Sequence, residues 1–226
     1  STVFDRYSIS RIKEAVRNPR HLVGEVNRVV TSANSMLSHG QYNTSGMNIL
    51  SADWDNLLIL DACRFDSFSK LNQIEGNLRP AESRGSNTAE FLRGNFKDRQ
   101  AYDTVYVSAN AHIRDYFDVF HDVYPVYQEQ WNDELDTVPP QIVSDVVIRA
   151  AEEYPDKRII GHYLQPHAPF IGEFGKELSK TDIWIWNQLR YGFEVDISEI
   201  KKAYEENLNR VLQSVERVTN SLSCKI

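Results

Sequence analysis

Three short apolar runs, each stopping abruptly on polar residues, limit what this chain can fold into more than any other feature. Asn56-Leu-Leu-Ile-Leu60 runs into Asp61. Thr104-Val-Tyr-Val-Ser108 runs into Ala109-Asn110-Ala111-His112, and Arg158-Ile-Ile-Gly-His-Tyr163 leads to Gln165-Pro-His-Ala-Pro169. Apolar runs this short, bounded by turn-forming residues, read as buried strands. Helical patterns separate them. Residues 140–153 carry Ile142, Val143, Val146, Val147 and Ala150 on one face behind Pro139-Pro140. Residues 198–222 keep Ile200, Ala203, Tyr204, Leu208, Val211, Leu212, Val215, Val218 and Leu222 in helical register. Strands alternating with helices predict an α/β fold with a mostly parallel sheet. In such sheets ligands bind beyond the carboxyl ends of the strands, which is where each of these runs meets a residue capable of chemistry.

Composition narrows the function classes. The 226 residues are 41% hydrophobic and 25% charged, with eleven Tyr, ten Phe and four Trp, a balance that favours a packed core over disorder. Lys plus Arg number 25 against 32 Asp plus Glu, so no basic excess supports a nucleic-acid partner. Two cysteines, Cys63 and Cys224, are too few for a disulfide framework and read as free thiols of a reducing compartment. No apolar run approaches the ~20 residues of a transmembrane segment. No signal peptide opens the sequence, and together these features give a cytoplasmic expectation.

The first fifth has a different character. Leu22, Val23, Val26, Val29, Val30, Ala33, Met36 and Leu37 form one helical stripe between Pro19 and Gly40, and a polar, turn-rich stretch follows from Gln41 to Gly46. The expected division is an N-terminal helical segment with its linker over 1–46 and an α/β domain over 47–226.

Three constellations carry chemistry-bearing residues. In Asp61-Ala-Cys-Arg64-Phe-Asp66, the acid directly after a strand is placed to bind a hard cation or a cationic side chain. Equally, Asp61 could cap the next helix while Arg64 pairs with Asp66. Cys63 reads as a small buried side chain rather than a nucleophile. In Ser83-Arg-Gly-Ser86-Asn-Thr88-Ala-Glu90, a glycine turn feeds hydroxyls into a helix start, where amides and dipole favour an anion. Asn87 with Glu90 is also a capping box in its own right. In His162-Tyr-Leu-Gln-Pro-His167-Ala-Pro169, His167 sits between prolines as a rigidly presented imidazole. Asn110 either donates to an oxyanion or terminates its strand.

Taken in order, these segments resemble the sulfatase-like branch of the alkaline phosphatase superfamily. Asn56 to Asp66 resembles its opening strand and metal-binding acid. Gly85-Ser-Asn-Thr88-Ala resembles the nucleophile turn of the phosphoethanolamine-transferase-like members, and His162 to Pro169 resembles the substrate-side histidine segment. The resemblance covers roughly Trp54 to the end of the sequence and implies a three-layer sandwich.

It also implies a metal-dependent hydrolase or group transferase acting on phosphate or sulfate esters, of a small molecule, a glycan or a lipid. Thr88 would be the nucleophile, with Ser86 the alternative in the same turn. Asp61 would ligate a divalent ion (Zn, Mn and Ca left open) shared with the Thr88 hydroxyl, and His167 would steady the ester or assist the leaving group. Ser86, Asn110 and His162 would line the substrate. The Cys-x-Pro-x-Arg signature of true sulfatases is absent, since Cys63 is followed by Arg64-Phe65-Asp66. The late Asp-His-Gly motif has no counterpart either; His121-Asp122 has the reverse order. The domain is therefore expected to be incomplete at its C-terminal end. The competing expectation is a non-catalytic sulfatase-like fragment that binds an anionic ligand or a protein partner.

Overall fold

The computed structural model describes residues 42–179 and 196–222. The chain divides into two compact units, Ser1–Gln41 with Glu177–Ile200 and Tyr42–Lys176 with Lys201–Ile226. The expected N-terminal stripe lies outside the described residues. Residues 42–46, expected as linker, fall in the second unit: the amides of Asn43 and Met47 donate to the carbonyls of Arg84 and Glu82 at 2.8 and 2.9 Å.

The second unit holds a four-stranded sheet. Its strands are β1 (Asn56–Leu60), β2 (Ala101–Ser108), β3 (Phe120–Pro125) and β4 (Arg158–Tyr163), in the order β1-β4-β2-β3. Every pairing is parallel, as predicted from the alternation of strands with helices. β4 is central, with His162 flanked by Ile59 of β1 and Ser108 of β2. β3 has no counterpart among the apolar runs of the sequence. Phe120-His-Asp-Val-Tyr-Pro is an edge strand whose His121 is exposed, so it lacks the apolar run that marks the buried strands. β2 also begins three residues earlier than the sequence suggests, through Ala101, Tyr102 and Asp103, and its register against β3 shifts between Ala101 and Val105.

Helices cover both faces. Between the strands run α1 (Phe65–Leu71), α2 (Thr88–Phe96), the short α3 (Val126–Glu129) and α4 (Pro140–Glu153); α5 (Glu173–Ser179) and α6 (Ile197–Ser221) follow β4. A 3-10 stretch, Ala111–Val119, joins β2 to β3. On one face Val105, Val107, Ile159 and Tyr163 pack with Val143, Val147 and Ala150 of α4 and with Leu208, Val211 and Val215 of α6. Gly161 permits this closeness, since a Cβ there would stand 2.7 Å from Val147. On the other face Tyr106 and Ile160 pack with Leu92 and Phe96 of α2, Ile113 and Phe120. The result is a sheet between two helical layers. Burial of strand residues 105–107 and 159–160 is almost complete, which accounts for their continuous apolar runs.

Candidate functional site

The carboxyl ends of β1, β4 and β2 are neighbours, and the residues that follow them converge. Asp61 leaves β1 with its amide bonded to the carbonyl of Tyr163 at 3.2 Å. Its Oδ2 accepts a hydrogen bond from Thr88 Oγ1 at 2.9 Å and another from Asn110 Nδ2 at 3.0 Å. His162 Nε2 faces the same oxygen at 4.0 Å. Three residues from three other stretches of sequence thus meet around one carboxylate oxygen of Asp61.

Local chemistry explains how each arrives. Thr88 is the first residue of α2, whose N-cap is Asn87: the Asn87 side chain accepts from the Glu90 amide at 3.0 Å. The Asn87 half of the box read from the sequence therefore forms and starts the helix from which Thr88 meets Asp61, while Glu90 reaches past the Asn87 amide to that of Ser86. Gly85 is needed for the same turn, because a Cβ there would lie 2.2 Å from the Phe91 amide nitrogen. Asn110 ends its strand, one of the two roles expected of it, and its side-chain amide is given to Asp61. Its Oδ1 accepts the His112 amide at 3.0 Å, ending β2 and starting the 3-10 stretch, while its Nδ2 serves Asp61.

Asp61 does not cap α1; the N-cap there is Arg64, without a side-chain bond. Arg64 pairs bidentately with Asp66 at 2.9 Å on the surface, so it offers nothing to the site. Ser86 is likewise turned away, its hydroxyl and amide both donating to Glu90 Oε2 at 2.7 and 2.9 Å. His167 reaches the site through its backbone, donating its amide to the Asp61 carbonyl at 3.1 Å, while its exposed ring lies against the Ala168 carbonyl. Cys63 is half-buried, and burial pushes its thiol up to about 11, which keeps it protonated and unreactive near neutrality.

Two contributions were not visible in the sequence. Tyr106, on the strand beside β4, is fully buried among Phe96 and Phe120, and its hydroxyl meets His162 Nδ1 at 2.9 Å. Burial, and secondarily the charge of Asp61, hold the Tyr106 phenol well above its ordinary range, so it keeps its proton. His162 is itself 1% exposed. Burial drives its pKa down to about 4 against the opposing pull of Asp61, and the neighbouring His112 lowers it further, so the ring is neutral at pH 7. The second contribution is α6. Tyr204 donates its hydroxyl to the Ala62 carbonyl at 3.0 Å and accepts the Arg64 amide at 2.9 Å. One turn on, buried Asn207 accepts the Ile171 amide at 2.8 Å and donates to the carbonyls of His167 and Pro169 at 3.2 and 3.1 Å. Tyr204 was expected only as part of an apolar stripe. Its polar end and Asn207 hold the loops that follow β1 and β4.

The metal expectation meets an incomplete donor set. Asp61, Thr88 and His162 bring together one carboxylate, one hydroxyl and one imidazole, and the Thr88 proton already satisfies Asp61 without an ion. Among the described residues no group of three His, Cys, Asp or Glu side chains is placed to hold a cation. A catalytic ion takes about three protein ligands. The residues described do not complete a site for one. Also among the described residues, no helix is long and apolar enough to cross a membrane.

No family model matches the sequence, and neither a curated protein nor a solved structure does.

Proposed function

We propose that the chain is a hydrolase or group transferase acting on phosphate or sulfate esters, with Thr88 as the attacking residue. The observation that carries this reading is the 2.9 Å hydrogen bond from Thr88 Oγ1 to Asp61 Oδ2 at the head of α2. A hydroxyl is a weak nucleophile until a neighbouring base accepts its proton, and Asp61 is the acceptor in contact. The amides of Thr88 and Ala89 head the helix, ahead of the first intrahelical bond from the Phe91 amide to the Asn87 carbonyl at 3.0 Å. That end of a helix favours an anion.

In the proposed step, Thr88 Oγ bonds to the phosphorus or sulfur of the ester as its proton passes to Asp61. The bond to the ester oxygen breaks, and the departing alcohol takes up a proton. Water then cleaves the threonine ester, releasing phosphate or sulfate and restoring the hydroxyl; in a transferase a second alcohol takes the place of water. Asn110 holds the Asp61 carboxylate in place during both halves. His167, exposed and tied to the Asp61 carbonyl through its backbone amide, would give a proton to the leaving alcohol once its ring leaves the Ala168 carbonyl.

Turnover of p-nitrophenyl phosphate, bis(p-nitrophenyl) phosphate and p-nitrophenyl sulfate by the chain and by Thr88→Ala tests the reading. Cleavage of one of them that Thr88→Ala abolishes supports it. Absence of cleavage, or cleavage indifferent to Thr88, defeats it. A second reading, a non-catalytic domain that binds an anion or a protein partner, is favoured by the single carboxylate and incomplete cation donor set among the described residues. Phosphate binding without Thr88-dependent turnover would support that alternative.

A further inference from the structure

We infer that Tyr106 fixes His162 as the tautomer protonated on Nε2, making His162 a neutral hydrogen-bond donor to an anionic oxygen beside Asp61. The assignment of the proton stands on geometry alone; the oxygen it serves rests on the ester-cleaving reading above.

Proton accounting distinguishes the two tautomers. The Tyr106 hydroxyl is fully buried, and its hydrogen-bond partner among the described residues is His162 Nδ1 at 2.9 Å. If Nδ1 carried the ring proton, the phenol would be the acceptor, and its own proton would be left in the core with no acceptor. Such an orphan costs about 1–3 kcal/mol. With Nδ1 as acceptor, the phenol proton is satisfied and the ring proton must sit on Nε2.

The far side of the ring gives the same answer independently. Nε2 faces Asp61 Oδ2 at 4.0 Å, too far for a hydrogen bond but close enough for charge to matter. A lone pair turned to that oxygen would be repelled, whereas an N–H is attracted. Asp61 Oδ2 already accepts from Thr88 and Asn110. The described residues place no acceptor within hydrogen-bonding distance of Nε2. The ring is 1% exposed, and its Nε2 lies on the side of Asp61 Oδ2 that the Thr88 hydroxyl also meets. An oxygen of phosphate or sulfate arriving at Thr88 is the acceptor this donor lacks. Tyr106 touches no substrate in this scheme; it is a positioning residue that works through His162.

Histidine-nitrogen NMR on the 15N-labelled full chain tests this, with His162→Gln used to assign the ring signals. The expected spectrum near pH 7.5 has a pyrrole-type Nε2 and a pyridine-type, hydrogen-bonded Nδ1. Inorganic phosphate should shift the Nε2 signal as it binds. Tyr106→Phe, which keeps the ring that packs on Phe96 and Phe120, should move the Nδ1 signal and weaken phosphate binding about three- to tenfold. A pyrrole-type Nδ1 in the unmodified chain, or ring signals unmoved by Tyr106→Phe, would overturn the assignment. Phosphate binding that leaves Nε2 unshifted would overturn the donor role. If the tautomer and the phosphate shift are found while no ester is cleaved, the ester-cleaving reading fails and the tautomer assignment survives.

Discussion

Two parts of the site differ in how they are held. Asp61, Asn110, His162 and Tyr106 lie in or just beyond β1, β2 and β4, where ladder hydrogen bonds and burial fix them together. Ser86 and His167 lie on exposed loops, and their rings or hydroxyls are taken up by local partners rather than by Asp61. Thr88 bridges the two parts, anchored by the Asn87 cap and aimed inward. Strand ends therefore determine which groups meet, while loops determine what stands at the rim.

Substitutions should respect this difference, and the largest effect belongs to the strand-end carboxylate. Asp61→Asn keeps the shape but removes the proton acceptor. In the proposed reaction, turnover is expected to fall by ~10²–10⁴, read as kcat with folding checked by circular dichroism.

Next in size is the effect of acid on His162. Below pH 6.5 the unfolded chain takes up a proton at this imidazole, which the folded chain refuses until about pH 4. Acidification through that window therefore favours unfolding, and the contribution is regained as pH rises back through it. The expected result is a stability that falls with pH through that window, measured by urea unfolding, and His162→Gln should lack that component.

Loop tethering from α6 ranks with it or just below. Asn207→Leu strips partners from the His167 and Pro169 carbonyls and the Ile171 amide. A loss of about 2–3 kcal/mol is expected, with KM raised more than kcat is lowered. A loss confined to kcat would place the His167 loop in the chemical step itself. The smallest effect is expected at Ser86, whose hydroxyl serves exposed Glu90. Ser86→Ala should change stability by less than about 1 kcal/mol and leave turnover within about twofold. A large loss of turnover there would move the attacking role from Thr88 to Ser86 and erase the contrast between buried and exposed groups.

The sequence made much of this legible, for physical reasons that differ from place to place. β1, β4 and α4 begin and end where the apolar runs and the Pro139-Pro140 pair put them, because buried parallel strands and proline-led helices leave strong local marks. β3 left a weak mark, since an edge strand needs no continuous apolar run. Asp61, Thr88, Asn110 and His162 were recognisable as polar residues at the ends of strands or the start of a helix. The fate of Ser86 was not, because two hydroxyls in one turn differ only in which carboxylate each reaches. Tyr106 and Asn207 were hidden for a related reason. One looks like any alternate residue of a strand and the other like a polar interruption of a helix. Their partners lie 56 positions away for Tyr106 and 36 to 40 positions away for Asn207.

The central claim is that the Thr88 hydroxyl attacks the ester, and trapping the attacked residue tests it most directly. The chain is mixed with each of the three p-nitrophenyl esters in turn, quenched in acid, digested and weighed by mass spectrometry. The expected result is a phosphoryl or sulfuryl group on Thr88, absent from Thr88→Ala, which should also be inactive. A group on another residue, or turnover that persists in Thr88→Ala, would contradict the account.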